Sequence, residues 1–144
     1  MNRRSFLASL GALVPTFLMS KAEASPTFSL TKTTNASLGA KITKSSTLKV
    51  GKSLAFNGKS TNGQAIEVIL TRTNTGVTAL DGTCTHQGCM VQLQKASIIC
   101  PCHGSVFNPN TGAPLMGPNG SPKSSIQPLA QYTVTEKSGY IYIK

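Results

Sequence analysis

All four cysteines and both histidines of this 144-residue chain fall between residues 84 and 103. They form two short boxes: the first is Cys84-Thr85-His86-Gln87-Gly88-Cys89 and the second is Cys100-Pro101-Cys102-His103-Gly104-Ser105. Each box follows a run that predicts a β-strand, and each is rich in small residues, which is typical of loops that converge on one compact centre. The sequence therefore predicts a metal or redox site built from two loops.

Short alternating or apolar runs, separated by turn residues such as Asn-Gly and Asp-Gly, follow one another from Leu48 to the end of the chain. Such spacing is typical of strands, and no helical period of useful length appears after residue 24. We expect an all-β fold, an antiparallel sandwich or barrel that carries the boxes as a loop subdomain. The predicted strands cover residues 48–56, 67–73, 77–80, 90–93, 97–99, 131–135 and 140–143.

Residues 1–24 predict a targeting signal, with a basic start, an apolar stretch over residues 6–19 and the small-residue end Ala22-Glu23-Ala24. The start Asn2-Arg3-Arg4-Ser5-Phe6-Leu7 resembles the twin-arginine export signal, from which it departs at Asn2 and again at Ala8. An ordinary secretory signal that begins with two arginines is the alternative.

The apolar stretch of the signal is 14 residues long and contains Pro15, whereas a membrane-spanning helix needs about 20 residues. We therefore expect cleavage after Ala24, with an uncleaved membrane anchor as the alternative. Residues 25–46 are rich in Ser, Thr, Lys and Asn, which suits a flexible linker or a weakly ordered edge. Residues 47–144 are expected to form the folded domain.

The formal net charge is +10, so the distribution of the charges decides which partners they fit. The lysines are scattered among small polar residues, with no arginine cluster and little aromatic interleaving to stack bases. Nucleic acid is therefore not an expected partner. A solvated lysine-rich surface, or docking to an acidic redox partner, accounts for the charge.

The spacing of Cys84 with His86 and of Cys100 with His103 resembles the Rieske iron-sulfur family, whose signature is Cys-x-His, a spacer and Cys-x-x-His. The resemblance covers about residues 77–143 and implies a [2Fe-2S] cluster, with the two thiolates on one iron and the two imidazoles on the other. Two neutral imidazoles in place of two thiolates remove negative charge, so such a cluster accepts an electron more readily.

The remaining cysteines, Cys89 and Cys102, match the disulfide that joins the loops in one Rieske subgroup. That subgroup occurs in quinol to cytochrome c oxidoreductases, plastoquinol complexes and the small subunits of arsenite oxidases. By this resemblance Cys89 and Cys102 form a disulfide here.

Ser105 matches the family's serine that donates a hydrogen bond to the cluster and so tunes its potential. At Phe107 this chain departs from the family's high-potential members, which carry a tyrosine there. Gly117-Pro118 resembles the proline loop that covers the cluster. An ordinary proline-rich surface loop is the alternative for that segment.

The resemblance implies an exported protein for one-electron transfer, periplasmic or on the outer face of the cytoplasmic membrane. By the same resemblance we expect an electron-transfer subunit of an oxidoreductase rather than a catalyst by itself. The first expectation is a quinol-oxidising complex of the cytochrome bc type, with cytochrome b and quinol as donor and a c-type cytochrome as acceptor. Membrane association would come through that partner or through an uncleaved N-terminal segment. The alternatives are the small subunit of a molybdenum oxidase such as arsenite oxidase, and a free periplasmic carrier.

Two other chemistries fit two cysteines and two histidines. A structural zinc site uses the same ligand types, but its cysteine pairs usually have Cys-x2-Cys spacing, and zinc gives no reason for a further cysteine in each box. A binding module with two disulfides would leave both histidines without a role. A visible absorption spectrum separates the three, because an iron-sulfur centre is coloured.

Overall fold

The structure is a computed structural model that describes residues 27–29, 39–59 and 63–144; the predicted signal, residues 1–24, lies outside the described residues. The described chain forms strands joined by loops and short 3-10 turns, which confirms the predicted all-β class. The 3-10 turns are Ser45–Thr47, Pro118–Gly120 and Lys123–Ser125. The strands are β1 Thr27–Ser29, β2 Ala40–Lys44, β3 Ser53–Lys59, β4 Ala65–Arg72, β5 Val77–Asp81, β6 Gln92–Gln94, β7 Ser97–Ile99, β8 Val106–Phe107, β9 Pro114–Met116, β10 Gln131–Tyr132, β11 Val134–Lys137 and β12 Tyr140–Ile143.

The strands form three sheets. A five-stranded sheet has the order β1-β3-β4-β5-β10, a three-stranded sheet has the order β11-β12-β2, and a four-stranded sheet has the order β6-β7-β8-β9. The pairing is antiparallel except between β1 and β3. The two boxes lie in the last of these units, since the first box leads into β6 and the second joins β7 to β8.

Strand β4 is buried on both faces, and its successive side chains point in opposite directions. Val68 and Leu70 pack into one apolar group, which we name the distal core, while Ile69 between them packs into another, the site-side core. The distal core contains Leu48, Phe56, Val68, Leu70, Ala79, Ile141 and Ile143. The site-side core contains Ile69, Leu80, Cys84, Val91, Ile98, Cys100, Phe107, Ile126 and Leu129.

These two cores make the domain three layers deep. The distal core joins the five-stranded sheet to the three-stranded sheet through Ile141 and Ile143 of β12. The site-side core joins the opposite face of the five-stranded sheet to the unit that carries the boxes. The five-stranded sheet is therefore the platform on which the site is built.

Gly82 leads β5 into the first box, and only a residue without a side chain fits at this position. A Cβ atom at this position would lie 2.6 Å from Cβ of Glu67 and 2.9 Å from its carbonyl oxygen, which is closer than packed atoms approach. The Gly82 N–H donates to that same carbonyl at 2.7 Å. The close contact fixes the start of the first box against β4.

Residues 40–46, which the sequence analysis placed in a linker or edge, form β2 and most of the 3-10 turn after it. β2 pairs with β12 at the edge of the three-stranded sheet. The domain boundary at residue 47 stays a prediction. Among the described residues the structure contains no helix with the length and apolar character needed to cross a membrane.

Arg72, the last residue of β4, ties three segments together at one end of the sheet. Its guanidinium donates to the carbonyl oxygens of Ser45 and Leu48 and makes a two-point ion pair with Glu136, with N–O distances of 2.7 and 2.8 Å. The hydrogen bond from Arg72 lowers the pKa of Glu136 below its usual value. This pair joins the five-stranded sheet to the three-stranded sheet.

Because its folded-state pKa is lowered, Glu136 stabilises the fold above pH 4.5, the usual value of the group, and that contribution is lost as the pH falls below it. We predict that Glu136→Gln lowers the free energy of unfolding by about 0.5 to 1 kcal/mol at pH 7, as expected for an ion pair near the protein surface. The loss should shrink as the pH falls below 4.5, measured by urea unfolding from pH 7 to pH 3.5.

Glu67 gives a control of the opposite sign, since burial raises its pKa and its Oε1 has no hydrogen-bond partner among the described residues. Glu67→Gln should leave the free energy of unfolding unchanged or higher at pH 7. A difference between Glu136→Gln and the parent that stays constant from pH 3.5 to 7 would contradict the assigned role of the ion pair.

Candidate metal centre

Each of the two boxes forms a backbone turn, and the two turns have the same hydrogen-bond pattern. The N–H of Gly88 donates to the carbonyl of Cys84 at 2.9 Å, and the N–H of Gly104 donates to the carbonyl of Cys100 at 3.0 Å. Both glycines have φ near +70°, with no atom near enough to obstruct a side chain. The left-handed backbone conformation, rather than space, therefore calls for glycine at both positions.

A second hydrogen bond closes each turn. The N–H of Cys84 donates to the carbonyl of Cys89, and the N–H of Cys100 donates to the carbonyl of Ser105, both at 2.8 Å. Each box thus starts and ends at a fixed point, with Cys84 at the base of the first box and Cys100 at the base of the second. The shared Cys-x-x-x-Gly spacing, visible in the sequence, was the signal for this repeat.

The predicted ligands divide by depth. Cys84 and Cys100 are free thiols, each 1% exposed and part of the site-side core, while His86 is exposed and His103 is half-buried. The two imidazole rings meet edge to face, with centroids 4.9 Å apart. The structure therefore brings thiols together at the base of the site and imidazoles together at its surface.

Burial raises the pKa of Cys84, and the neighbouring Cys100 thiol raises it further. Backbone N–H groups of His86 and Gln87 act against that shift, because their hydrogen bonds favour the thiolate. Two adjacent buried thiols are costly to ionise without positive charge nearby. A bound metal centre supplies that charge, so the donor set fits one.

Two buried polar atoms at the site have no hydrogen-bond partner within the described chain: Nδ1 of His103 and Oγ of Ser105. A buried polar atom without a partner is costly, so a native structure normally provides one. An imidazole nitrogen can bind iron, and a hydroxyl can donate to a cluster sulfur. Both atoms therefore fit a [2Fe-2S] cluster held between the boxes.

Cys89 and Cys102 form a disulfide that joins the two boxes, as the resemblance implied. The sulfurs of Cys89, Cys100 and Cys102 lie within 4.8 Å of one another. Since two of these three sulfurs are bonded to each other, the grouping is not a separate metal site. It shows that the disulfide lies directly beside the Cys100 thiol.

The segment after β9 is tied to both boxes. The N–H of Asn119 donates to the carbonyl of His103, and Oγ1 of Thr85 donates to the carbonyl of Gln127, both at 2.6 Å. Gly117 at its start is buried, and a Cβ there would collide with Oγ of Ser125. The segment with Gly117 and Pro118 therefore lies against the boxes. The hydrogen bonds at Thr85 and Asn119 were not predicted from the sequence.

Ser105 and Phe107, the residues expected to tune the cluster, are both fully buried. Phe107 packs in the site-side core with Cys84 and Cys100, and pairs with Ile98 of β7. The position is thus on the site side of the domain, as a tuning role requires. That role itself stays a prediction.

A further contact supports the end of β5, from which the chain enters the first box. The hydroxyl of Tyr132 donates to Oδ2 of Asp81 at 2.7 Å, while Oδ1 of Asp81 accepts from the N–H of Thr83. Burial and the bond to Asp81 both raise the pKa of Tyr132. Sequence reasoning missed this contact because 51 positions separate the two residues.

Buried thiols and surface imidazoles on two joined loops, carried by an all-β platform, define an iron-sulfur electron-transfer domain. Residues 40–133 match the family model of the Rieske [2Fe-2S] domain, so the chain belongs to that family. It binds a [2Fe-2S] cluster and takes part in electron transfer.

Curated relatives agree with the family. The cytochrome b6-f complex iron-sulfur subunit of Chlorobaculum tepidum is 34% identical over 79 residues, which cover 54% of this chain and 40% of that protein. A Rieske subunit named for respiratory nitrate reductase in Haloferax mediterranei is 39% identical over 67 residues, covering 46% of this chain and 29% of that one. The chain thus spans less than half the length of these relatives.

A solved structure extends the likeness to the whole fold. The plasma membrane Rieske protein PetC3 from Synechocystis PCC 6803 superimposes with a TM-score of 0.56 at 28% identity. The superposition covers 73% of this chain and 98% of that one.

We predict that Cys84→Ser, His86→Ala, Cys100→Ser and His103→Ala each abolish the visible colour and the bound iron. The reason is that a cluster with four protein ligands is not held by three. Iron analysis and the visible spectrum give the measurement, with Gln87→Ala, an exposed change inside the first box, as the control. Full iron content in any one of the four variants would remove that residue from the ligand set.

Cys89→Ser should lower the free energy of unfolding by about 3 kcal/mol, since the bond closes a loop whose ends are 13 positions apart. We expect the cluster to bind more weakly but still to form. Thermal unfolding followed by circular dichroism measures the loss, with Cys102→Ser as the matched variant. Two variants that melt at the parent's temperature would show that the bridge is absent in solution.

Phe107→Tyr should raise the midpoint potential by about 40 to 65 mV, because one added hydrogen bond that favours the reduced cluster is worth about 1 to 1.5 kcal/mol. Ser105→Ala should lower the potential by a similar amount. Protein-film voltammetry measures both, with visible circular dichroism to check that the site is otherwise intact. An unchanged potential in Phe107→Tyr would mean that the new hydroxyl does not reach the cluster.

Proposed function

We propose that Cys84, His86, Cys100 and His103 hold the [2Fe-2S] cluster, and that the protein passes single electrons between larger redox partners. When bound, the cluster supplies a one-electron centre whose potential the two imidazole ligands raise. The observation that carries the proposal is the division of the site into two buried free thiols and two imidazoles at the surface. This arrangement gives the metal a dry base and leaves one edge open to a partner.

The residues of this chain prepare the site in three ways. The N–H groups of His86 and Gln87 favour the thiolate of Cys84. The disulfide and the Asn119 hydrogen bond hold the second box in place. His86, the most exposed of the four proposed ligands, is the group that a partner can touch.

We propose a subunit of a quinol-oxidising complex of the cytochrome bc type as the setting, with a c-type cytochrome as acceptor. Support comes from the relatives named as iron-sulfur subunits of cytochrome b6-f complexes. Apolar side chains also flank the site: Met90 adjoins the first box, and Leu115 and Met116 lie on β9, and all three are exposed. An exposed apolar rim is typical of surfaces that contact another protein.

The Haloferax relative supports a second setting, because its name places it with a different respiratory oxidoreductase. The small subunit of a molybdenum oxidase and a free carrier are further proposals. In each case the chain transfers electrons, and the partner carries the chemistry on the substrate.

We propose that the protein is exported and works in the periplasm or on the outer face of the cytoplasmic membrane. The twin-arginine-like start of the sequence supports export of a chain that folds before it crosses. The Cys89–Cys102 disulfide supports the same conclusion, since such bonds persist in oxidising compartments.

The proposed setting is tested in the native host by deleting the gene and measuring quinol-dependent reduction of cytochrome c in its membranes. We expect the rate to fall to background and to return with the parent gene and with Asn74→Ala, an exposed change at the far end of the β4–β5 hairpin. Cys100→Ser should not restore it. A full quinol oxidation rate in the deletion strain would contradict the proposed complex.

A further inference from the structure

The end of the domain opposite the boxes carries much of its positive charge. Strand β5 runs into the first box, and β4 is antiparallel to it, so Arg72 at the end of β4 lies at the other end of the sheet. The length of β4 separates the two ends by about 25 Å. A surface at the Arg72 end therefore faces away from the proposed ligands.

A tight turn projects from this end. The N–H of Lys52 donates to the carbonyl of Lys49 at 3.0 Å, with Gly51 in the left-handed conformation between them. The N–H of Gly51 donates to the backbone carbonyl of Arg72 at 2.8 Å, which ties the turn to β4. Val50 is 61% exposed at the tip, the highest value among the exposed large apolar side chains of the described residues. An apolar tip between two lysines is thus held rigidly in solvent.

Two more lysines lie at the same end. The guanidinium of Arg72 binds both the carbonyl of Ser45 and the side chain of Glu136, and the N–H of Ser45 donates to Gly139 at the tip of the β11–β12 hairpin. Lys44 precedes Ser45, and Lys137 follows Glu136; both are exposed. We name Lys44, Lys49, Val50, Lys52 and Lys137 the basic pole.

The outer face of the three-stranded sheet continues the basic pole. Lys137, Tyr140 and Lys44 stand side by side across the three strands, and residues directly opposite one another share a face. The ammonium of Lys41 lies 3.4 Å from the centre of the Tyr140 ring. The fold thus places the Tyr140 ring among lysines that are far apart in the sequence.

Negative charge is nearly absent from this surface. In β2, β11, β12 and residues 45–52, the single Asp or Glu is Glu136, and Arg72 neutralises it. The lysines therefore act together on whatever approaches this end.

We propose that the basic pole docks the domain on the surface of an anionic lipid bilayer, with the redox site facing away from that surface. Lysines next to a tyrosine suit the headgroup layer, where long cationic side chains and amphipathic rings are stable. Val50 favours a bilayer over a nucleic acid or an acidic protein, because the membrane offers hydrocarbon just below the phosphates. Docking at this end holds His86 away from the bilayer and leaves it free for a soluble electron-transfer partner. The inference therefore rests on the free-carrier setting proposed above, and not on quinol oxidation within the membrane.

Flotation of the full-length holoprotein with lipid vesicles tests the proposal. We expect binding to vesicles of one part phosphatidylglycerol and three parts phosphatidylcholine, and at least tenfold weaker binding to phosphatidylcholine alone. Binding should weaken between 50 and 500 mM salt. Each lysine near an anionic surface strengthens binding about fivefold, so Lys49→Gln/Lys52→Gln should weaken it by about 25-fold.

The matched control is Lys95→Gln/Lys123→Gln, which removes two exposed lysines from the unit that carries the boxes. It should bind anionic vesicles as the parent does. Equal losses in the two double variants would mean that net charge alone drives binding, and would overturn the proposal. A double variant at the turn that loses affinity for an acidic protein or an oligonucleotide, but not for vesicles, would overturn the lipid assignment.

Insertion of the turn is measured separately, since the chain contains no tryptophan. In Val50→Trp the emission should shift to the blue with anionic vesicles and be quenched by brominated lipids. Asn110→Trp, an exposed change beyond β8, should show neither effect. This readout separates docking through the basic pole from attachment through the N-terminal segment. Binding without a shift in Val50→Trp would overturn the proposal.

Discussion

The burial of β4 on both faces is the constraint on which the rest of the structure depends. Val68 and Leu70 anchor the three-stranded sheet below, and Ile69 anchors the unit with the two boxes above. Neither flanking layer forms a core by itself, because each contributes only short strands. The site-side core then determines where the two thiols lie, since Cys84 and Cys100 are buried in it side by side at the base of the boxes.

Burial disfavours the ionised form of that pair of thiols, so binding both as thiolates calls for a partner of positive charge. The raised pKa of Cys84 is a sign of that need. Oγ of Ser105, which has no hydrogen-bond partner among the described residues, can donate to a sulfur of the same centre. The boxes resist rearrangement because the disulfide and the hydrogen bonds at Thr85 and Asn119 hold them from three sides. Rigid loops keep the reorganisation on electron transfer small, which suits a protein that carries electrons.

Much of the site could be read from the sequence because its information is local. The spacing of Cys84 with His86 and the alternation in β7 and β12 depend on neighbours in the chain, and strands 97–99 and 140–143 have the predicted bounds. The predicted strand over residues 48–56 begins instead at Ser53, because residues 49–52 form the turn held by Arg72. Strands β1, β2, β8 and β9 were not predicted, since two or three residues, or a lysine-rich run, carry too little pattern. The pairing of Tyr132 with Asp81 depends on the folded sheet, and so does the grouping of lysines at one end.

We propose that two cysteines and two histidines of this chain hold one [2Fe-2S] cluster. Pulsed electron paramagnetic resonance of the reduced protein tests it most directly, because nitrogen ligands split the signal of the iron that they bind. We expect couplings from two imidazole nitrogens, with His86→Cys and His103→Cys each reducing the number to one in any sample that retains a cluster. A reduced signal without nitrogen coupling, or a colourless protein that contains zinc, would contradict it.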